Sequence, residues 1–285
     1  MNVKILIACH KPSVQVYNDV LLPIHVGKIK SNIDLGFIGD DSGDNISAKN
    51  NIYCEMTAVY WAWKNLDADY IGLCHYRRLF TFERLSLLRR LKSAFVYWKK
   101  RVVDNVVSPG SCFNYLKRDY LYIKDENEWK QRADVFVKKL VRLLDAGDYS
   151  YVIPYAYKLS SCSVENFFST LGREHIALLK EIVHEKFPEK DDVLQESLNG
   201  HLLYAANMFV MEKNIFCEYA KFMFTILGEH ERKIVEKGWC KDPLSEKCYA
   251  RMSGYLAELL TSTFILGLKR DKSLKFLKVN TMFLG

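Results

Sequence analysis

The sequence predicts an α/β fold: a sheet with helices on both faces and a C-terminal part that is mostly helical. Three observations point there. Val3 to Cys9 is an apolar run of strand length. Tyr70 to Leu73 is a second such run, set off by the turn residues Asp67 and Asp69. Between them, a polar, glycine-containing loop leads into a helix-patterned stretch from Cys54 to Leu66. Strand, loop, helix and strand with polar breaks is how one half of a nucleotide-binding α/β sheet is laid out. The 285 residues, 49% hydrophobic and 26% charged, supply core enough for one domain over 1–285.

The elements follow in order. His10, Lys11 and Pro12 end the first strand, and Leu35 to Gly39 reads as a second short strand running into the acceptor-rich loop Asp40 to Ser47. The helix over 54–66 has Glu55 in its first turn, where a carboxylate complements the macrodipole, and one face made by Met56, Val59, Tyr60 and Trp63. Arg84 to Val103 is a basic amphipathic helical insertion. The stretch 108–129 shows no period, and Trp129 to Leu144 is helical. Tyr151 to Pro154 reads as a strand end. Ser163 starts a helix with Glu165 and Asn166 in its first turn, and Arg173 to Phe187 is a helix stopped by Pro188. Asn207 to Met211 is a short strand, after which Asn214 is positioned to cap a long helix through Leu227. A last helix runs from about Arg251 to Leu266.

Composition narrows the class. No run approaches the roughly 20 apolar residues of a spanning helix, and the first strand is too short for a signal peptide, so a cytoplasmic location is expected. Eight cysteines without a C-x-x-C or finger-like spacing read as free thiols in a reducing compartment. The net charge of +7 is unevenly placed: Arg84 to Arg101 holds seven basic residues and no acid, and Lys269 to Lys278 holds five against Asp271. Such clusters suit a polyanionic surface, and with no nucleic-acid-binding module in the sequence an anionic membrane is the expected partner. On a helical wheel Leu87, Leu88, Leu91, Phe95, Trp98 and Val102 form one stripe in the first cluster, the pattern of a helix lying in a membrane interface.

The chemistry concentrates at strand ends, where ligands of open α/β sheets bind. Tyr70 to Phe80 empties from an apolar strand into His75, Tyr76, Arg77 and Arg78. Paired arginines there suit phosphate oxygens and could neutralise a leaving diphosphate directly. His10 and Lys11 end the first strand, where the lysine could reach the same group. Asp40, Asp41, Asp44, Asn45 and Ser47 could hydrogen-bond a ribose or base edge, or Asp40, Asp41 and Asp44 could hold Mg²⁺ or Mn²⁺; a solvated turn is the plainer reading. Glu55, Glu165 and Glu258 are the candidate general bases. The G-x-S-x-G, G-x-x-x-x-G-K-[ST], H-E-x-x-H and G-x-G-x-x-G motifs are missing.

Taken together, His10-Lys11-Pro12, Gly27, the Asp40 to Ser47 loop followed by Lys49-Asn50, Tyr53 to Thr57, Tyr60 to Asn65 and Tyr70 to Phe80 resemble, in order and spacing, a bacterial family. It is the glycosyltransferase-like family of capsular and exopolysaccharide gene clusters, long known as a domain of unknown function. Ile153-Pro154, Glu174-His175, Asn207 to Met211, Glu218-Tyr219, and Arg251 with Glu258 extend the likeness over nearly the whole chain. The resemblance implies a GT-A-like fold, a nucleotide-sugar donor such as UDP-galactose in pyranose or furanose form, and a lipid-linked saccharide acceptor. The expected arrangement sets Arg77 and Arg78 at the diphosphate, with His10, Lys11, Asn50 and Tyr76 beside them. Asp40, Asp41, Asn45 and Ser47 face the nucleoside, and His75 and one of Glu55, Glu165 and Glu258 do the chemistry. A saccharide-binding or scaffold subunit that keeps the fold without turnover is the alternative. Leu79 in place of a usual aromatic and the long 81–109 segment depart from the family pattern.

Overall fold

The computed structural model describes residues 1–88, 90–92, 94, 95, 98, 99, 102, 120–159 and 162–285. Its centre is an eight-stranded mixed sheet. Strand β1 (Val3–Cys9) lies between β2 (Leu21–His25) and β3 (Tyr70–His75), parallel to both. β3 then divides its second edge. Tyr70 to Leu73 pair antiparallel with β9 (Phe209–Glu212), while His75 pairs with Arg78 at the start of β4 (Arg78–Thr81). β9 pairs with β6 (Tyr151–Pro154), β6 runs parallel to the first half of β10 (Phe276–Leu284), and the second half of β10 pairs with β4. These pairings close a ring around the point where β3 changes partner. β5 (Tyr120–Ile123) runs along β10, and β7 (Tyr157–Lys158) and β8 (Leu202–Leu203) make a separate two-stranded ladder.

The central strands are mostly apolar, as suits strands covered on both faces, and the pleat sorts their side chains. Ile5, Ile7 and Cys9 of β1 join one core, and Leu6 and Ala8 the other. The first core packs under α3 (Glu126–Asp145), which buries Trp129, Ala133, Phe136, Leu140 and Leu144 along one stripe. Asp125 caps that helix, its carboxylate accepting from the Glu128 N–H at 2.7 Å. The opposite core is covered by α1 (Asn50–Tyr53), α2 (Met56–Asn65), α4 (Val164–Phe168), α5 (Arg173–Lys186), α6 (Asp191–Asn199), α7 (Lys213–Glu236) and α8 (Met252–Arg270). Helices therefore lie on both faces and dominate the C-terminal half. No helix among the described residues is long and apolar enough to cross a membrane.

Several elements differ from the sequence reading. The second strand is Leu21–His25, not 35–39, which contributes one bridge between Gly39 and His25. Pro23 argues against a strand from sequence, but β2 is an edge where a missing N–H is tolerated. The helix expected over 54–66 is α2, starting at Met56, and the left-handed Cys54 (φ 51°) separates it from the one-turn α1 before it. Glu55 is consequently at the break, preceding α2. Ser163 does cap α4, accepting from the Asn166 N–H, but the long α7 starts at Lys213 without a side-chain cap, so Asn214 is not its cap residue. The basic cluster 269–278 spans the end of α8 and the start of β10. Lys269 packs on the Tyr204 and Phe276 rings, and Phe276 opens the strand that sits mid-sheet. Of the expected helix 84–103, the described residues from 87 to 102 are helical and exposed; 89, 93, 96, 97, 100, 101 and 103 lie outside the described residues, as does most of 108–129. Cys9, Cys54, Cys74, Cys217, Cys240 and Cys248 are free thiols.

Two positions make this packing testable. Gly72 lies between Ile5 of β1 and Val210 of β9, where a Cβ would sit 2.7 Å from the Phe209 carbonyl oxygen. Backbone cannot yield as a side chain does, so Gly72→Ala is expected to destabilise the protein by about 1–3 kcal/mol, read as a lower urea midpoint at unchanged slope. The second is a buried histidine pair between α5 and α7, His175 Nδ1 to His230 Nε2 at 3.1 Å, walled by Trp239 and Tyr249. Burial, then the neighbouring His175, pushes His230 down to about 3, so the folded state resists the proton that the unfolded chain accepts below its ordinary value of 6.5. Stability is therefore full above that value and is lost as pH falls through it. From this residue the loss is about 2 kcal/mol by pH 5, visible in thermal melts and reduced in His230→Gln.

Candidate active site

A cleft of about 560 Å³ opens beyond the carboxyl ends of β1 and β3, where the sheet topology puts ligands. Ala8 and His10 come from the end of β1, and His75, Tyr76, Arg77 and Arg78 from the tight β3–β4 hairpin. Asn50, Asn51, Cys54 and Glu55 come from the α1–α2 break, Arg251 and Glu258 from α8 and its entry, Ala206 from the approach to β9, and Phe283 from β10. Residues far apart in sequence meet here because the ring of strand pairings brings both ends of the chain to this point.

The non-glycine residues with positive φ among those described are Cys54 (51°), Ala206 (68°), Asn207 (48°) and Arg251 (66°). Three line the cleft, and the fourth holds one of its carboxylates. Such conformations cost about 1–3 kcal/mol each and persist where surroundings over-determine them. Each has its restraint. The Cys54 carbonyl accepts from Asn50 Nδ2 at 2.7 Å, and the Arg251 N–H donates to the Asn51 carbonyl at 2.7 Å. Gly254 lets α8 approach this corner, since a Cβ there would meet Cys54 Sγ at 3.0 Å. The Ala206 carbonyl accepts from His75 Nε2 at 2.6 Å. Asn207, fully buried, donates from Nδ2 to Glu55 Oε1 at 2.8 Å and accepts at Oδ1 from Thr261 Oγ1 at 2.9 Å. The Thr261 proton being used, Tyr219 OH donates to Thr261 at 2.9 Å. Glu55 thus ends a chain of buried hydrogen bonds that fixes its orientation.

Three guanidinium groups define the cleft's charge. Arg77 donates from Nε to the Leu284 carbonyl at 2.9 Å and lies 4.8 Å over the Phe283 ring, and Arg78 lies 5.7 Å from the same ring. These contacts hold the forks by their stems. The Arg78 Nε is buried without a hydrogen-bond partner among the described residues. A buried donor left open in a cleft is what an anionic ligand would satisfy. Arg251 stands 5.1 Å over Tyr255. The histidines add no fixed charge. Burial, then Lys11 and Arg251, hold His10 below its usual range, and burial lowers His75 against the pull of Glu55. The neutral His75 donates from Nε2 to Ala206 and so keeps an acceptor at Nδ1. The His10 ring meets Tyr76 edge-on at 5.2 Å, and Lys11 Nζ stands 5.6 Å over that ring.

Of the expected site residues, His10, Asn50, Glu55, His75, Tyr76, Arg77, Arg78 and Glu258 come together in the cleft. Asp40, Asp41, Asn45, Ser47, Lys11 and Glu165 are not among its lining residues. Asp40 is fully buried and ties the loop: its carboxylate accepts from the Gly27 and Lys28 N–H groups and from Ser47 Oγ. Ser47 Oγ in turn accepts from the Ile29 N–H. Asn45 closes the turn on the Asp41 and Gly43 carbonyls, and Asp44 accepts from Tyr60 OH. With the Asp40 oxygens engaged by three internal donors, this loop does not fit the Mg²⁺ or Mn²⁺ site that its spacing allows. No group of three or more His, Cys, Asp and Glu among the described residues could hold an ion. Glu165 pairs with Lys180 at 2.6 Å, bracing α4 on α5. Cys54 and Phe283, which line the cleft, and Asn207, which holds Glu55, are not among the expected site residues. Asn207 carries the one available hint, an amide residue tolerant of left-handed backbone just before a strand.

A family model described as a domain of unknown function, DUF4422, matches residues 4–270. The solved apo structure of WbbM, a bifunctional glycosyltransferase, is similar at TM-score 0.78 and 26% identity, over 100% of this chain and 46% of that one. The chain thus spans less than half the length of that protein. No curated protein matches it. The family match stops short of β10, whereas the structural likeness runs through it and includes Phe283. By a match over nearly all of its length, this chain belongs to the DUF4422 family.

Proposed function

We propose that the protein is a glycosyltransferase that moves a hexose from a nucleotide-sugar donor to a lipid-linked saccharide acceptor in capsular polysaccharide, exopolysaccharide or O-antigen synthesis. The motif resemblance suggests UDP-galactose, pyranose or furanose, as the donor. The observation that carries the reading is the convergence of Arg77, Arg78 and Arg251 with Glu55 and Glu258 in one strand-end cleft, in a chain similar to a glycosyltransferase structure.

In this reading an acceptor hydroxyl forms a bond to the anomeric carbon of the donor while the bond to the diphosphate oxygen breaks. The hydroxyl proton passes to a carboxylate, and the leaving diphosphate takes the electron pair. Glu55 is the preferred base, since Asn207 fixes one of its oxygens and it borders the cleft. Arg77 and Arg78 carry the negative charge that grows on the diphosphate, and their anchoring on Phe283 and Leu284 removes the need to reorganise during the reaction. Neutral His75 supports Ala206 and the floor of the cleft.

Two measurements test this reading. By isothermal titration, UDP is expected to bind in the presence of EDTA, and Arg77→Ala or Arg78→Ala to weaken it by roughly 1.5–3 kcal/mol, as for a charged hydrogen bond. Affinity that vanishes with EDTA, or survives intact in both variants, would move the diphosphate elsewhere. Glu55→Gln is expected to lower transfer on the order of 10²- to 10⁴-fold with UDP affinity unchanged. A near-normal rate in Glu55→Gln, with loss in Glu258→Gln, would reassign the base to Glu258.

A further inference from the structure

The described residues between 87 and 102 are helical, and every one of them is exposed. Leu87, Leu88, Leu91, Phe95, Trp98 and Val102 are between 45% and 80% exposed, the densest group of exposed large apolar side chains on the described surface. At 3.6 residues per turn these six fall within an arc of roughly 100°. A helix packed on a core buries such a stripe, as α3 does with Trp129, Phe136 and Leu140. Here a gap of about 650 Å³ remains between the helix, at Leu87, Leu91 and Ala94, and the body, at Tyr120, Tyr155 and Leu202.

Charge identifies the occupant of the exposed face. Arg90, Lys92 and Lys99 are exposed, and the sequence from 84 to 101 holds seven cations and no acid. On the wheel Lys92 and Lys99 border one side of the apolar stripe and Arg90 the other. Cations at both borders of an apolar face containing Trp and Phe reach headgroup phosphates while the rings enter the acyl boundary. A protein partner would need acids along both borders as well as an apolar groove, whereas an anionic leaflet supplies both features along its whole plane. We infer that this helix is an interfacial anchor that seats the protein on an anionic lipid bilayer. The inference stands independently of the transfer reaction.

The test is flotation of the full-length protein with vesicles of phosphatidylcholine alone and of phosphatidylcholine with equal phosphatidylglycerol. Binding to the anionic vesicles is expected to exceed binding to neutral ones by about tenfold or more and to fall at high salt. Phe95→Ser with Trp98→Ser, and separately Lys92→Glu with Lys99→Glu, are each expected to lower anionic binding by about tenfold, with UDP affinity and thermal midpoint unchanged. Because UDP binding is read in the same samples, failure of the anchor and failure of the donor site are separable. Wild-type protein that stays unbound, or variants that float as well as wild type, would overturn the inference. So would a concentration-dependent dimer abolished by the Phe95/Trp98 change, which would assign the stripe to a second copy of the chain.

Discussion

The architecture turns on one constraint, the division of β3 between two partners. Its first four residues pair with β9 and its last with β4, so the sheet must open between them. Gly72 allows the close packing below the opening, where any side chain would strike the Phe209 carbonyl. Above it, Ala206 and Asn207 turn the chain left-handed away from the ladder, and the His75 imidazole replaces the lost backbone bond by donating to Ala206. The cleft is the space this divergence leaves. Its polar lining is therefore a consequence of backbone groups that have left the sheet and need new partners.

The same divergence explains how carboxylates and guanidiniums coexist there. Glu55 sits at the Cys54 break and is held by an amide, Asn207, whereas the arginines arrive on the opposite hairpin and rest on an aromatic ring. Anchoring acids and bases through neutral groups leaves their charges available to a ligand instead of cancelling across the cleft. The cleft keeps its histidines neutral by burial, so its positive potential comes from arginine.

Much of this could be read in the residues. The runs 3–9, 70–73 and 151–154 are strands because little else suits short apolar segments between turns, and the arginine pair after β3 is at the cleft for the reason strand ends usually matter. The loop Asp40 to Ser47 was harder. Its acceptors resemble a ligand site, yet in three dimensions the nearest unsatisfied donors are the Gly27 and Lys28 amides, which composition does not reveal. β2 hid behind Pro23, and β10 behind a basic cluster that suits a polyanionic surface. The contribution of Phe283 depends on long-range pairing, about which local periodicity says nothing.

That long-range pairing bears on the order in which the molecule can assemble. Arg77 meets the Leu284 carbonyl across 207 residues, and β4, which touches β3 only at the His75–Arg78 pair among the described residues, takes most of its pairing from β10. The β1–β2–β3 unit closes much shorter loops and can form while the rest of the chain is still unfolded. Non-local strand pairing is slow, because the entropy of loop closure precedes the contacts that compensate it. The guanidinium pair therefore gains its aromatic support only when the final strand enters the sheet. A nascent or partly folded chain would carry the arginines without the cleft, and competence to hold an anion would arrive as a late, all-or-none event.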